Sequence, residues 1–208
     1  MMEIPLTRNA TAIVDDEDYD RLMEHSWALN PEGQGYAVRK GSKRKGEPRT
    51  VAMHQEILRV PDGMQIDHIN GNGLDNRKAN LRPVDVQQNA FNRKKPEVLC
   101  TSKYKGVLKR KGKKNWTARI KFNDRHVELG GWYPTEEYAA AAYNFASRIF
   151  FGEYRRENPD VPELCLDDQF YLYLKCKRYI ERYGWKVNTG TYNMFQHFEK
   201  GVVWMKSA

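Results

Sequence analysis

The 208-residue chain is 40% hydrophobic and 12% aromatic, which excludes wholesale disorder and allows one or two small cores. Its formal charge of +8 favours an anionic partner, nucleic acid before an anionic membrane surface. No apolar run approaches the roughly 20 residues of a spanning helix, and Met1-Met2-Glu3-Ile4-Pro5 lacks a signal peptide's charged start and apolar centre, so the expected location is cytoplasmic, without membrane association. Cys100, Cys165 and Cys176 are scattered, with no Cys-x-x-Cys spacing, and read as reduced thiols rather than a disulfide framework or zinc knuckle.

Residues 3–14 read as extended segments. The acidic run Asp15, Asp16, Glu17, Asp18 then suits a helix N-terminus, where carboxylates meet the positive end of the macrodipole. Tyr19, Leu22, Met23 and Trp27 fall near helical spacing and form a core stripe. Residues 36–38 and 50–53 read as strands flanking a loop that carries Arg39, Lys40, Lys43, Arg44, Lys45 and Arg49. That loop is either a solvated hairpin tip or a phosphate-contacting arm.

The chain is organised around residues 65–89. A short extended run, 64–68, ends in Asp67-His68 and is followed by the turn Gly71-Asn72-Gly73. Residues 81–84 read as a second short strand. Asp85 is an N-cap with Gln88 completing a capping box, so a helix begins at Val86 and carries Asn89 on its first turn. The order strand, loop, strand, helix can bring Asp67 and Asn89 together as oxygen donors for a hard divalent cation, which takes few protein ligands and keeps several waters. His68 is a candidate general base, because an ordinary imidazole accepts a proton near neutrality. In a regular strand Asp67 and His68 point to opposite faces, so a local twist is expected to turn both toward one phosphate. A cation, a base and a nearby phosphate are the parts of phosphodiester hydrolysis.

The pattern Asp67-His68-Ile69-Asn70-Gly71-Asn72, Asp75-Asn76-Arg77, Asn80-Leu81-Arg82 and Asn89 resembles the HNH endonuclease family, in particular its phage and intron-associated homing-type members. The resemblance implies a ββα-metal motif with Asp67 and Asn89 as ligands of one Mg²⁺ or Mn²⁺ ion. It further implies His68 as general base, Asn80 as a loop-organising residue that helps orient the histidine, and Arg82 near the phosphate backbone. His54 matches an upstream family histidine and is expected to be structural.

Residues 96–102, beginning Pro96-Glu97, read as a linker into a region of different composition. Between residues 93 and 121 lie twelve Lys or Arg and a single acid, Glu97. Residues 104–110 and 115–122 alternate like strands, with Trp116, Ala118, Ile120 and Phe122 inward and Thr117, Arg119 and Lys121 outward. A third strand spans 125–132, and Thr135 caps a helix running to Ile149. Tyr104-Lys105-Gly106-Val107, Trp116-Thr117-Ala118-Arg119-Ile120, Leu129-Gly130, Thr135-x-Glu137-x-Ala139-Ala140-x-Ala142-Tyr143 and Asn158 resemble an AP2 domain. Such domains lay a three-stranded sheet in the DNA major groove, which implies Lys105, Arg110, Arg119, Lys121 and His126 as DNA-binding positions. Leu108 and Glu128 stand where plant members commonly carry arginine and tryptophan, so their base preference does not carry over. A helix is expected over residues 166–183, ended by Gly184, with Tyr192, Phe195, Phe198 and Trp204 beyond it as packing residues first, or as a dimer surface or stacking platforms for bases.

The expected class is α+β: an HNH lobe over 1–95 with its core at 54–93, a linker at 96–102, an AP2-like domain at 103–158 and a helical extension at 159–208. The expected function is metal-dependent cleavage of double-stranded DNA by a phage-encoded or bacterial protein acting as a monomer or weak dimer. The rivals are a non-catalytic DNA-binding protein on a degenerate HNH scaffold and an RNA-directed module.

Overall fold

A computed structural model describes residues 1–31, 35–95 and 101–187. The chain divides into two compact units, Met1–Arg93 and Lys94–Ala208. The linker residues Pro96 and Glu97, Cys100, and the aromatic residues Tyr192, Phe195, Phe198 and Trp204 lie outside the described residues.

In the first unit, β1 (Met2–Pro5) and β2 (Thr11–Val14) form an antiparallel ribbon. Helix α1 (Asp16–Met23) follows, with Asp16, Glu17 and Asp18 in its first turn as expected. Ile4, Leu6, Ala12, Val14, Leu22, Trp27, Ala37 and Met53 build the core. Trp27 lies past the helix end and donates its indole N–H to the Leu22 carbonyl at 2.8 Å, satisfying the polar edge of a buried ring. Strands β3 (Ala28–Asn30), β4 (Tyr36–Lys40) and β5 (Thr50–Ala52) make an antiparallel sheet with β4 central. Met53 starts helix α2 (Met53–Ile57) instead of continuing the strand.

The basic loop between β4 and β5 differs from both readings at Arg39. Its guanidinium bonds Glu47 at 2.9 Å and also pairs with Glu56, and its side chain is only 11% exposed. Two carboxylates from distant positions thus turn this arginine inward, where it braces the hairpin rather than reaching for phosphate.

Strands β6 (Gln65–His68) and β7 (Leu81–Val84) pair antiparallel, and helix α3 (Val86–Asn92) packs on them. The capping box forms: Gln88 N donates to Asp85 Oδ1 at 2.7 Å, and Asp85 N donates to Gln88 Oε1 at 2.9 Å.

In the second unit, β8 (Val107–Lys109), β9 (Trp116–Phe122) and β10 (Arg125–Tyr133) form an antiparallel sheet with β9 central. Ala118, Ile120 and Phe122 are buried while Arg119 and Lys121 are exposed, as the alternation predicts; Thr117, expected outward, is buried beside Gly131. Helix α4 (Glu136–Phe151), capped by Thr135, covers the inner face with four consecutive buried alanines, Ala139 to Ala142. Helix α5 (Leu166–Tyr183) packs on α4 and β10 through Leu172, Tyr173 and Cys176, and Gly184 ends it in the left-handed conformation. Burial pushes the Cys176 thiol up to about 12, which keeps it protonated and unreactive.

Gly106 shows how tightly this unit is built. Its φ is +75°, and a Cβ there would lie 1.9 Å from the Tyr143 ring and 2.7 Å from the Arg119 carbonyl oxygen. Overpacking and a disfavoured backbone then act together, so Gly106→Ala is expected to destabilise the unit by about 3 kcal/mol or more. Chemical denaturation checks this, and a wild-type midpoint would contradict it.

Candidate active site

The site is built where β6, β7 and α3 meet. β6 and β7 pair without register shift, Asp67 opposite Arg82 and His68 opposite Leu81. The strand is therefore regular, and Asp67 and His68 leave it on opposite faces; the expected twist is not seen as a bulge.

Asp67 turns toward α3 and is 2% exposed. Its Oδ2 accepts from Arg82 at 3.0 and 2.8 Å. The amide nitrogen of Asn92 lies 2.9 Å from Oδ1 and 3.1 Å from Oδ2. The same nitrogen is 2.9 Å from the His68 carbonyl oxygen. Asn89, one helical turn earlier, donates instead to Gln65 Oε1 at 2.6 Å. Gln65 and Asp67 share a strand face and Asn89 and Asn92 share a helix face, so all four line one seam. Arg82, expected near phosphate, has its side chain 14% exposed and ion-paired to Asp67.

His68 faces the other way, toward β4 and α2, and is 1% exposed. Its ring lies 5.1 Å from that of His54, nearly perpendicular, and 5.7 Å from that of Tyr36. Asn76 Oδ1 stands 3.3 Å from Nε2 and can accept from it in the tautomer that leaves the lone pair on Nδ1. Burial holds this imidazole below its usual range, against the opposing pull of Asn76, Asp67 and Asp75. Burial first, and then the charge of Asp67, pushes the Tyr36 phenol up.

Asn80 organises the loop that presents Asn76. It donates to the Asp75 carbonyl at 2.7 Å and to Asn70 Oδ1 at 3.1 Å, and it accepts from Asn70 N at 3.0 Å. Asn76 N in turn donates to the Ile13 carbonyl at 2.8 Å, clipping the loop to β2. Asn80 thus reaches His68 through the loop, and Asn76 makes the direct bond. Gly73 is required by close approach, since a Cβ there would sit 2.2 Å from the Gly35 oxygen and 2.8 Å from the Tyr36 ring.

A carboxylate and an amide oxygen are donor types that a hard cation takes. Asp67 supplies a carboxylate whose Oδ2 takes both Arg82 contacts and whose Oδ1 takes Asn92 at 2.9 Å. Asn89 spends its nitrogen on Gln65, so its carbonyl oxygen remains the donor atom. No group of three or more His, Cys, Asp or Glu gathers among the described residues, and the donor set is oxygen from a carboxylate and an amide.

His54 is a sensor of acid built into this cluster. Its Nδ1 is sealed from water without a hydrogen-bond partner, and burial, followed by the neighbouring His68, lowers the imidazole to about 4. An unfolded histidine titrates near ~6.5, so between these values the unfolded chain binds the extra proton. Stability from His54 is therefore complete above about pH 6.5 and drains as pH falls toward 4, by on the order of 2–3 kcal/mol. His54→Phe keeps the ring contacts and removes the titration. Urea unfolding at pH 7 and pH 5 should show a smaller acid loss in this variant; an unchanged difference would contradict the account.

On the second unit, Arg119 and Lys121 project from β9 opposite Glu128 and His126 of β10, and Arg110 pairs with Glu128 at 3.0 Å. Lys105 precedes β8, and its backbone N–H and carbonyl are held by Asn158 at 2.7 and 3.1 Å. Arg110, Arg119, Lys121 and His126 gather on or beside one small sheet, where Glu128 pairs with Arg110 and Asp124 with Lys121 at 2.9 Å.

Comparison with known proteins matches residues 51–91 to the HNH endonuclease family. The matched span contains Asp67, His68, Asn76, Asn80, Arg82 and Asn89 and stops one residue short of Asn92. An uncharacterized HNH endonuclease of Acanthamoeba polyphaga mimivirus is 34% identical over 153 residues, covering 71% of this chain and 74% of the relative.

Proposed function

The chain belongs to the HNH endonuclease family, nucleases that hydrolyse DNA, and from that premise we propose a metal-dependent, homing-type endonuclease acting on double-stranded DNA. The observation that supports this reading is the seam between β6 and α3, where Asn92 bonds Asp67 and Asn89, one turn earlier, bonds Gln65 on the same strand face, at the end of the strand that also carries His68.

Asp67 and the Asn89 carbonyl oxygen would hold one Mg²⁺ or Mn²⁺ ion. Such an ion, when bound, stabilises charge on the scissile phosphate and the leaving oxygen. His68, kept neutral by burial, accepts a proton from the attacking water at Nδ1, while Asn76 holds Nε2–H and stabilises the resulting imidazolium. Asn80 keeps the loop in place during that transfer. Arg82 fixes the Asp67 carboxylate and lies beside the position a phosphate would take.

The second unit supplies affinity and register in this reading. Lys105, Arg110, Arg119, Lys121 and His126 contact DNA from an AP2-like sheet, mostly through phosphates, with base edges read in the major groove. The enzyme works in the cytoplasm of a bacterial or phage-infected cell as a monomer or weak dimer, so one active site per chain nicks first. No helix among the described residues is long and apolar enough to cross a membrane.

One observation favours the non-catalytic rival: His68 is 1% exposed, as a scaffold residue would be. Incubating the protein with duplex DNA, single-stranded DNA and RNA of one sequence tests both. Cleavage of the duplex supports the proposal. Binding of the duplex without cleavage of any substrate supports the rival, and preferential cleavage or binding of RNA contradicts both.

A further inference from the structure

Resting on the metal reading above, we propose that Asn92 is a positioning residue that sets the Asp67 carboxylate for the cation and the strand end for His68. Asn92 closes α3, is 2% exposed, and brings one amide nitrogen against four oxygens. Two belong to the Asp67 carboxylate at 2.9 and 3.1 Å, and two are the carbonyls of His68 at 2.9 Å and Ile69 at 3.4 Å. An amide has only two N–H bonds. It therefore ties the carboxylate and the backbone of the next residue to a single point on the helix.

That arrangement answers the problem raised by the regular strand. Asp67 and His68 leave β6 on opposite faces, so their relative placement depends on the carboxylate rotamer and on the backbone where the strand ends. Arg82 grips Oδ2 from the neighbouring strand at 3.0 and 2.8 Å. Asn92 contacts both oxygens from the helix, and so fixes the carboxylate from a second side. Partners that orient a ligand in this way typically change metal affinity or activity by roughly 10–100-fold when removed.

The test is a DNA-free titration of the full chain with Mn²⁺ by calorimetry, using wild type, Asn92→Leu, Asn92→Ala and Asp67→Asn. Folding is checked by circular dichroism and by gel shift on duplex DNA. Folded Asn92 variants should bind Mn²⁺ about 10–100-fold more weakly, and excess Mn²⁺ should restore part of their cleavage rate. A purely structural role would leave Mn²⁺ affinity unmoved. If Asp67→Asn loses Mn²⁺ while both Asn92 variants retain it, the assignment of Asn92 is overturned and the metal reading stands. If Asp67→Asn binds like wild type, the metal reading itself has failed. If neither Asn92 variant folds, Asn92 is a folding residue and the assignment is likewise overturned.

Discussion

Replacing His68 with alanine should lower the rate of DNA cleavage by roughly 10²–10⁴-fold, the usual contribution of a positioned general base. The geometry gives the reason. Asn76 fixes one ring nitrogen at 3.3 Å, and the Tyr36 and His54 rings fix the plane of the imidazole. Burial holds it neutral, so it is ready to take a proton at pH 7. The substitution removes a buried ring and also leaves a cavity, so some loss of stability accompanies it. DNA affinity should change little, because most of the proposed DNA-contacting positions lie in the second unit. Single-turnover nicking alongside gel shift separates the two effects. A rate within tenfold of wild type, with intact folding, would remove His68 from the role of base.

Asp67→Ala should abolish metal-dependent cleavage and also destabilise the first unit by about 3–5 kcal/mol, the cost of stranding one partner of a buried pair. Here the stranded groups are the Arg82 guanidinium, 14% exposed, and the Asn92 amide. Asp67→Asn preserves shape and should lose cleavage with a smaller loss of stability. Asn89→Ala provides the contrast. Its amide donates to Gln65 on a more exposed part of the seam, so cleavage should fall while stability changes by no more than about 1 kcal/mol. Urea denaturation and nicking assays on all three check the pattern. Wild-type turnover in Asp67→Asn or Asn89→Ala would refute the ligand assignment.

Local chemistry made much of the first unit readable. Asp85 and Gln88 announce the start of α3, and the Asn-Gly run announces a turn between two short strands, because capping and turn formation depend on near neighbours. From Ala118 to Phe122 the inward and outward positions on β9 follow from alternation, whereas Thr117, expected outward, is buried. What could not be read depends on partners far along the chain. Arg39 looks like a loop cation until Glu56, 17 positions away, turns it inward. Asn92 stands three residues after Asn89 and therefore on the same helix face, a signal present in the sequence. Which asparagine meets Asp67 is decided by how α3 lies across β6, and no local rule sets that. Asn76 is similar: its role depends on the clip between its backbone and Ile13, 63 positions earlier. In β10 the register shifts after Glu128 and Gly130, and Gly130 is buried and Gly131 exposed, out of simple alternation.

The central claim is metal-dependent hydrolysis of duplex DNA by this chain. Its most direct test is to incubate supercoiled plasmid carrying candidate sites with the wild-type protein, adding Mg²⁺ or Mn²⁺ and then withdrawing it with chelator. The account predicts nicked or linear product that appears with the metal and stops forming when the chelator is added. Product that forms equally in chelator, or a plasmid that is bound and never cut with either metal, would contradict it.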